Sequence, residues 1–295
     1  MSLTRRVTFR LYPNTAQERQ LYEWKRLHCY LYNACVEHRR TSYQKFGKSV
    51  NYFDQQNSLP AFKECWDEYK KLGSHALQAT VKRVDFAFAR FFKLKTGYPR
   101  FKANRRYGGW TYPCKAGWRL ESNGCNGFLN LSNLGKIQMR GKARDWGTPK
   151  TCTICFKQGK WYASVTINCV PERITTNTGA IGLDFGVLHA IADSNEKLLE
   201  NPRFIKQAQT KINKIAKKSR RKKSPNFKKR IKASRRWKKA NKAVGKIQSK
   251  VARQRQDWQH KVAVGIVSCN SFIATEKLNL RGMTRKSNQA LAWCE

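Results

Sequence analysis

Ala180-Ile181-Gly182-Leu183-Asp184-Phe185-Gly186-Val187-Leu188-His189-Ala190-Ile191-Ala192 is an almost unbroken apolar run with one carboxylate in its middle. The run lacks polar alternation, which suits a hairpin buried on both faces, and Asp193-Ser194-Asn195 supplies the next turn. A carboxylate in such a setting must be paired, protonated or bound to a metal, because an isolated buried charge is too costly. The other strand-like run carrying an acid is Phe272-Ile273-Ala274-Thr275-Glu276, which ends 92 residues after Asp184. The interval is long enough to hold helices that would let the two strands meet side by side. Two carboxylates brought together this way suit Mg²⁺, which prefers oxygen ligands, keeps several waters and can activate one of them against phosphorus. Asp184 and Glu276 are therefore the candidate catalytic and metal-ligating pair. The alternative, that each acid pairs with a nearby Lys or Arg, stays open on the residues alone.

The interval itself is dominated by charge. Residues 201–260 hold 23 Lys or Arg and one acid, Asp257. Val244, Ile247, Val251, Trp258, Val262 and Ile266 nevertheless recur at helical spacing, so at least the second half is expected to be a docked helix with a basic outer surface. Over the whole chain 61 Lys+Arg stand against 18 Asp+Glu, a net +43. Self-repulsion on that scale favours neutralisation by a polyanion, for which DNA or RNA is the natural candidate. No stretch reaches roughly 18 consecutive apolar residues, and the basic segments lack a broad apolar face, so a membrane partner is set aside. Met1 to Arg6 leads into alternating residues rather than an apolar signal segment, which points to a cytoplasmic protein. The ten cysteines sit inside periodic apolar segments and read as reduced core thiols. In Thr151-Cys152-Thr153-Ile154-Cys155 strand alternation turns the two cysteines to opposite faces, which makes a poor chelate.

Toward the N-terminus, Arg5-Arg6-Val7-Thr8-Phe9-Arg10-Leu11-Tyr12 alternates as a half-buried strand and Pro13 ends it. Thr15 and Glu18 form a capping-box pattern. Leu21, Trp24, Leu27 or His28, Leu31, Ala34 or Cys35, and His38 then predict a helix to about Phe46, stopped by Gly47. A second helix is expected from Ser58-Leu59-Pro60 to Gly73, and a third, capped by Ser74, carries Leu77, Val81, Val84, Phe88 and Phe91 on one face. From Gly97 to Pro171 the pattern changes to short strands at 107–113, 127–131, 135–140, 149–157 and 160–170, with Gln158-Gly159 as a hairpin turn. These strands are expected to close a small barrel that the N-terminal strand joins, leaving the helical block as an insertion.

Several short motifs, in order, resemble one known family over nearly the whole chain. They are Phe9-Arg10-Leu11-Tyr12-Pro13 with Gln17, Tyr32-Asn33-Ala34, Gly97-Tyr98-Pro99-Arg100-Phe101-Lys102, Gly182-Leu183-Asp184-Phe185-Gly186, Arg253 to Lys261, and Ala274-Thr275-Glu276-Lys277-Leu278-Asn279-Leu280. Any one is weak, but the ordered set is similar to the TnpB/OrfB proteins of insertion sequences. The resemblance implies an RNA-guided DNA endonuclease related to type V CRISPR effectors, in which base pairing reads sequence and the protein reads a short flanking motif. It implies an α+β multidomain chain. A wedge-type β-barrel (1–13 and 96–172) would be interrupted by a helical recognition bundle (14–95) and followed by an RNase H-like RuvC α/β domain (178–295). On this mapping Asp184 and Glu276 are Mg²⁺ ligands. Tyr98, Arg100, Lys102, Lys228, Lys229, Arg230, Arg235, Arg236, Trp237, Arg253 and Arg255 are nucleic-acid contacts, Trp237 by stacking if it does not simply pack. The implied partners are a guide RNA and a double-stranded DNA target, in the nucleoid rather than at a membrane, with no small-molecule substrate.

The departures from the pattern matter too. Family members continue past the glutamate into a zinc ribbon and a third RuvC motif bearing an aspartate, whereas here no aspartate follows Asp257. The RuvC domain is accordingly expected to lack its C-terminal part, no zinc is expected, and cleavage is expected to be weak or absent. The alternatives are a nuclease-deficient, repressor-like binding protein or a truncated remnant. A general RNA-binding protein would explain the charge but not the ordered motifs.

Overall fold

Strand β1 (Leu3–Tyr12) turns Phe9 and Leu11 inward and joins two other strands along its length. It pairs antiparallel with β7 (Lys160–Cys169) from Leu3↔Cys169 to Leu11↔Trp161, and with β5 (Gly135–Arg140) from Arg10↔Arg140 to Tyr12↔Gln138. With β2 (Gly109–Tyr112), β3 (Trp118–Glu121), β4 (Gly127–Leu131) and β6 (Thr148–Lys157) it forms a seven-stranded antiparallel sheet in the order β2-β6-β7-β1-β5-β4-β3. The first strand in sequence is thus the middle strand of the sheet. Gln158 and Gly159 both have positive φ, 53° and 76°, the conformation a two-residue hairpin between β6 and β7 demands. The computed structural model describes residues 3–170, 178–186, 188–226 and 229–278, and the chain divides into the units Met1–Glu172 and Arg173–Glu295.

Between β1 and β2 come the helices. α1 (Thr15–Phe46) is capped by Asn14, one residue earlier than expected: its side chain accepts from the Gln17 amide, and Gln17 Oε1 accepts from the Asn14 amide. Asn is as good a cap as Thr, and the residue directly after Pro13 is the one held extended. Gly47 closes the helix in the left-handed conformation. The single helix expected for 58–73 is instead α3 (Leu59–Cys65) and a 3₁₀ turn (Asp67–Lys71), because Trp66 leaves helical geometry at φ −132°, ψ 88°, and a short α2 (Tyr52–Asn57) that was not anticipated precedes it. α4 (Ser74–Leu94) follows. Its N-cap is Gly73, not Ser74, whose hydroxyl instead accepts from Lys63. Leu77, Val81, Val84 and Phe88 are buried on it, as their spacing predicts, and Phe91 is half-buried. Strand β3 was not anticipated.

Helices and sheet of this unit share one core, centred on Trp24, His28, Trp110 and Trp161. His28 is fully buried and stacks on Trp110 with ring centres 5.3 Å apart and planes at 11°. Thr80 Oγ1 gives its proton to the Ala76 carbonyl, so at 2.8 Å it can only accept from His28 Nδ1. His28 Nε2 is left buried without a partner. Burial, and after it the Arg83 guanidinium, push the imidazole down from 6.5 to about 3. Cys152 faces the same core beside Ile154 while Cys155 turns the other way, the opposed arrangement that strand alternation requires; burial raises both thiols.

The second unit has a four-stranded sheet, ordered β10-β9-β8-β11. β8 (Gly179–Asp184), β9 (His189–Asp193) and β10 (Leu198–Glu200) run antiparallel, and β11 (Asn270–Thr275) lies parallel to β8. Joining the latter two are α5 (Phe204–Arg220) and α6 (Arg235–Cys269), which pack on each other. The stripe read from the sequence is half-buried along α6, with Val251 fully so. The hairpin is less buried than expected: Ile181 and Leu183 are its buried residues among those described. No described helix is long and apolar enough to cross a membrane.

The neutral, unprotonated His28 makes a prediction about acid stability. Its folded pKa lies below its unfolded one, so the unfolded chain binds the extra proton between about pH 6.5 and about 3. Stability contributed here is complete above pH 6.5 and falls by about 1.4 kcal/mol per pH unit below it. Urea unfolding followed by tryptophan fluorescence at stepped pH is expected to show that slope in wild type and a shallower one in His28→Asn. Parallel slopes would contradict it.

Candidate functional site

Asp184 is the last residue of β8, and Glu276 directly follows β11. The parallel register runs Ile273↔Ile181, Ala274↔Gly182, Thr275↔Leu183. Extended by one residue, it sets Glu276 beside Asp184 on neighbouring strands, whose spacing is about 4.8 Å. Both side chains are exposed, not buried as an acid inside an apolar strand would be. Strand ends explain this, since the ladder stops where the carboxylates begin. Gly179 permits the pairing: a Cβ there would come within 2.7 Å of the Cys269 carbonyl at the junction of α6 and β11.

Two other acids of this unit, Asp193 and Asp257, are already engaged. Asp193 accepts from the amides of Asn195 and Lys197, and Asp257 pairs with Lys261 one turn away at 2.8 Å. Asp184 and Glu276 have no hydrogen-bond or ion-pair partner among the described residues. Glu276 borders a cavity of about 780 Å³ between α6 and the sheet, walled by Trp258, Val262, Ile266 and Ile273. Asp184 opens on an adjoining hollow of about 350 Å³ with His189, and Gly186 borders both. His189 Nδ1 lies 2.8 Å from Glu200 Oε1, outside hydrogen-bond direction. That pair was not anticipated, although a histidine five residues after the aspartate was a visible signal. Among the described residues no three His, Cys, Asp or Glu are close enough together to hold a metal alone. Two adjacent carboxylates still fit Mg²⁺, which is commonly held by one or two carboxylates together with waters and substrate phosphate oxygens.

The cationic candidates of this unit occupy three places. Lys229 and Arg230 are exposed in the turn closed by the Asn226↔Ile231 bridge, with Arg230 at φ 52°; Lys228 lies outside the described residues. Arg235 and Arg236 are exposed in the first turn of α6, where Ser234 caps the Trp237 amide, and Trp237 is half-buried. Further along α6, Arg253 is exposed and Arg255 half-buried. α5 adds Lys217, Lys218 and Arg220 to its last turn.

The remaining candidates, Tyr98, Arg100 and Lys102, lie in the other unit, on the loop after α4. Asn33 of α1 holds this loop at two points: its Nδ2 donates to the Lys102 carbonyl at 3.0 Å and its Oδ1 accepts from the Lys102 amide at 2.8 Å. Cys29 Sγ donates to the same carbonyl at 3.1 Å. Lys102 Nζ lies 4.4 Å over the Tyr32 ring, and burial, then Arg83, lower its pKa. Two motifs almost seventy residues apart, Tyr32-Asn33-Ala34 and Gly97 to Lys102, thus form one structure. Asn33 itself was not anticipated as the clamp, since a half-buried helical asparagine carries no sequence signal of its partner.

Two family models match the chain: one described as a probable transposase (OrfB_IS605) over residues 163–287, and one described as a helix-turn-helix domain (HTH_OrfB_IS605) over residues 1–48. The described part of the second match is β1 followed by the unbroken α1, with no turn between two helices. "Putative RNA-guided DNA endonuclease InsQ" of Escherichia coli (strain K12) is 24% identical over 282 residues, covering 95% of this chain and 67% of that protein. A "Putative RNA-guided DNA endonuclease" of Streptomyces pristinaespiralis is 23% identical over 296 residues, covering 98% of this chain and 70% of that protein. The chain therefore spans about two thirds of the length of these relatives. Among solved structures, a Cas12f1-sgRNA-target DNA complex aligns with TM-score 0.39 and 12% identity over 97% of this chain and 76% of that one. A CRISPR-Cas12f ternary complex aligns with TM-score 0.38 and 12% identity over 92% and 64%.

Removing the clamp has a local signature. Asn33→Ala is expected to cost about 1–3 kcal/mol for two lost hydrogen bonds and to speed amide exchange at residues 100–102 more than in β7. Uniform acceleration across both regions in hydrogen-exchange mass spectrometry would show that the loop is not held by Asn33.

Proposed function

The chain belongs to the TnpB/OrfB family of insertion-sequence proteins, and on that premise we propose that it binds a guide RNA and a DNA target, with Asp184 and Glu276 as the Mg²⁺-dependent phosphodiester-cleaving pair. The observation that carries this reading is the parallel ladder of β8 and β11. It brings side by side two carboxylates that have no partner among the described residues, in a chain of net charge +43. Two like charges that close, with no cation among the described residues paired to them, suit a divalent ion and a phosphate better than they suit structure. When bound, the ion would supply an activated water and charge neutralisation at phosphorus. The residues' own part is to fix two oxygens at one edge of the sheet, close to the adjoining His189 and Glu200.

In this reading the seven-stranded sheet is a wedge-type barrel, α1 to α4 are the recognition insert, and the second unit is RNase H-like. Lys229, Arg230, Arg235, Arg236, Arg253 and Arg255 hold backbone phosphates, and Lys228 belongs with them by sequence. Arg235 and Arg236 repel the positive end of α6, a cost that a bound phosphate removes. Tyr98, Arg100 and Lys102 contact nucleic acid from the other unit. With two carboxylates as the protein ligands, ion binding is weak, so cleavage is slow and calls for millimolar Mg²⁺. A nucleic-acid-binding protein without cleavage is the competing reading, and the small number of metal-binding side chains among the described residues favours it.

One assay separates the two. RNA that co-purifies with the chain is sequenced, and DNA matching it is incubated with Mg²⁺ and wild type, Asp184→Ala or Glu276→Gln. Mg²⁺-dependent cleavage lost in both variants is expected, and guide-dependent binding without cleavage would replace the endonuclease by the binding protein. Binding is also expected to weaken steeply with salt, with a log–log slope of magnitude roughly 5 or more. A flat titration would remove the phosphate contacts assigned to the basic helices.

A further inference from the structure

Between the C-terminal end of α1 and the loop held by Asn33 lies a hollow of about 570 Å³, bordered by Arg40, Tyr43 and Gln44 on one side and by Tyr98, Arg100 and Phe101 on the other. The three aromatic rings are exposed: Tyr43 is 68% exposed, Phe101 52% and Tyr98 44%. Packing within the protein does not account for them. Tyr98 is nevertheless well supported from behind. Tyr98 meets Phe88 and Phe91 edge-on at 5.6 Å and 5.3 Å, and Arg39, buried and bound to Gln55 and Asp85, lies 5.2 Å over Phe88. No acid borders the hollow, and its two charges, Arg40 and Arg100, are both exposed cations.

Flat apolar walls, a cationic rim and one amide side chain form a combination with a particular chemical match. Aromatic faces stack on any base, arginines hold the adjoining phosphates, and an amide can hydrogen-bond a base edge. An apolar peptide would satisfy the rings but leave the two arginines unmatched, whereas an acidic ligand without a ring would leave the rings wet. The volume admits one nucleotide with solvent to spare and is too small for a stacked duplex to enter. We propose that this hollow is a nucleobase-binding site, which takes one unstacked base between Tyr43, Tyr98 and Phe101 while Arg40 and Arg100 hold the phosphates on either side of it. The proposal rests on the nucleic-acid-binding reading above and adds to it a stacking site away from the basic helices. RNA and DNA present the same base and phosphate chemistry, so the test has an arm for each.

Short single-stranded RNA and DNA oligonucleotides carrying one 5-iodouracil, moved through successive positions, are mixed with the full chain and irradiated, and the adducts are mapped by mass spectrometry. The expected result is an adduct on Tyr43, Tyr98 or Phe101 in at least one arm, and that arm identifies the source of the base. In the same arm Tyr43→Ala and Phe101→Ala are expected to weaken binding roughly tenfold each with an unchanged salt slope, because stacking and not charge is lost. Arg40→Gln is expected to lower the slope by about one. Thermal unfolding of the variants at the wild-type temperature shows that the fold is intact. Salt-dependent binding with adducts confined to α5 and α6 and unchanged affinity in both aromatic variants would overturn the base site and leave the wider reading standing. Absence of binding to either oligonucleotide would overturn both.

Discussion

Parallel pairing of β8 with β11 organises the second unit, because two strands running the same way cannot be joined by a tight turn. The chain must travel the length of the sheet and return, and α5 and α6 are the path it takes. That requirement puts most of the positive charge of the unit on the connection while the two carboxylates sit at the ends of the strands it joins. Cations and carboxylates are therefore separated by topology: the helices carry lysines and arginines along their length, and the strand ends carry two carboxylates at one point. The close approach at Gly179, where α6 passes directly into β11, is the tightest place in this arrangement.

The first unit solves a different problem. Its central strand is the first in sequence, yet both neighbours, β5 and β7, arrive more than a hundred residues later. Non-local pairing of this kind gains nothing until the intervening chain has been placed, so the helices between β1 and β2 are as much a part of the sheet's folding as the strands. Their shared core shows it, since Trp24 and His28 of α1 lie against Trp110 of β2, and Trp161 of β7 completes the group. The buried, uncharged His28 is tolerated there by one hydrogen bond to Thr80 and by stacking, with a lone pair left unused.

Elements with one clean apolar face were legible in the sequence. α1, α4 and α6 declared themselves by spacing, and β6 and β7 by alternation around Gln158-Gly159. Failures came where a second effect masked the pattern. In α5 the stripe Ile205, Ala208, Ile212 and Ile215 is regular, but lysines between them made the segment read as charge alone. At 58–73 the composition is helical throughout, and only the backbone of Trp66 breaks it. The run from Ala180 to Ala192 looked buried on both faces because hydropathy cannot count layers. The acids at 184 and 276 could be singled out because each ends an apolar strand. That the two strands could lie side by side was legible too; their register was not, since register between distant strands depends on long-range pairing that no local window contains.

The Asn33 clamp on Lys102 grips main-chain atoms and ignores the side chains it positions. Its two bonds to the Lys102 amide and carbonyl would form with any residue except proline at that site. Shape and chemistry of the loop are thus set independently. The path of the backbone is fixed from α1, while Tyr98, Arg100 and Phe101 can be exchanged without asking the scaffold to change. A loop built in this way is a surface that can be rewritten one side chain at a time, by selection or by design, with its framework left in place.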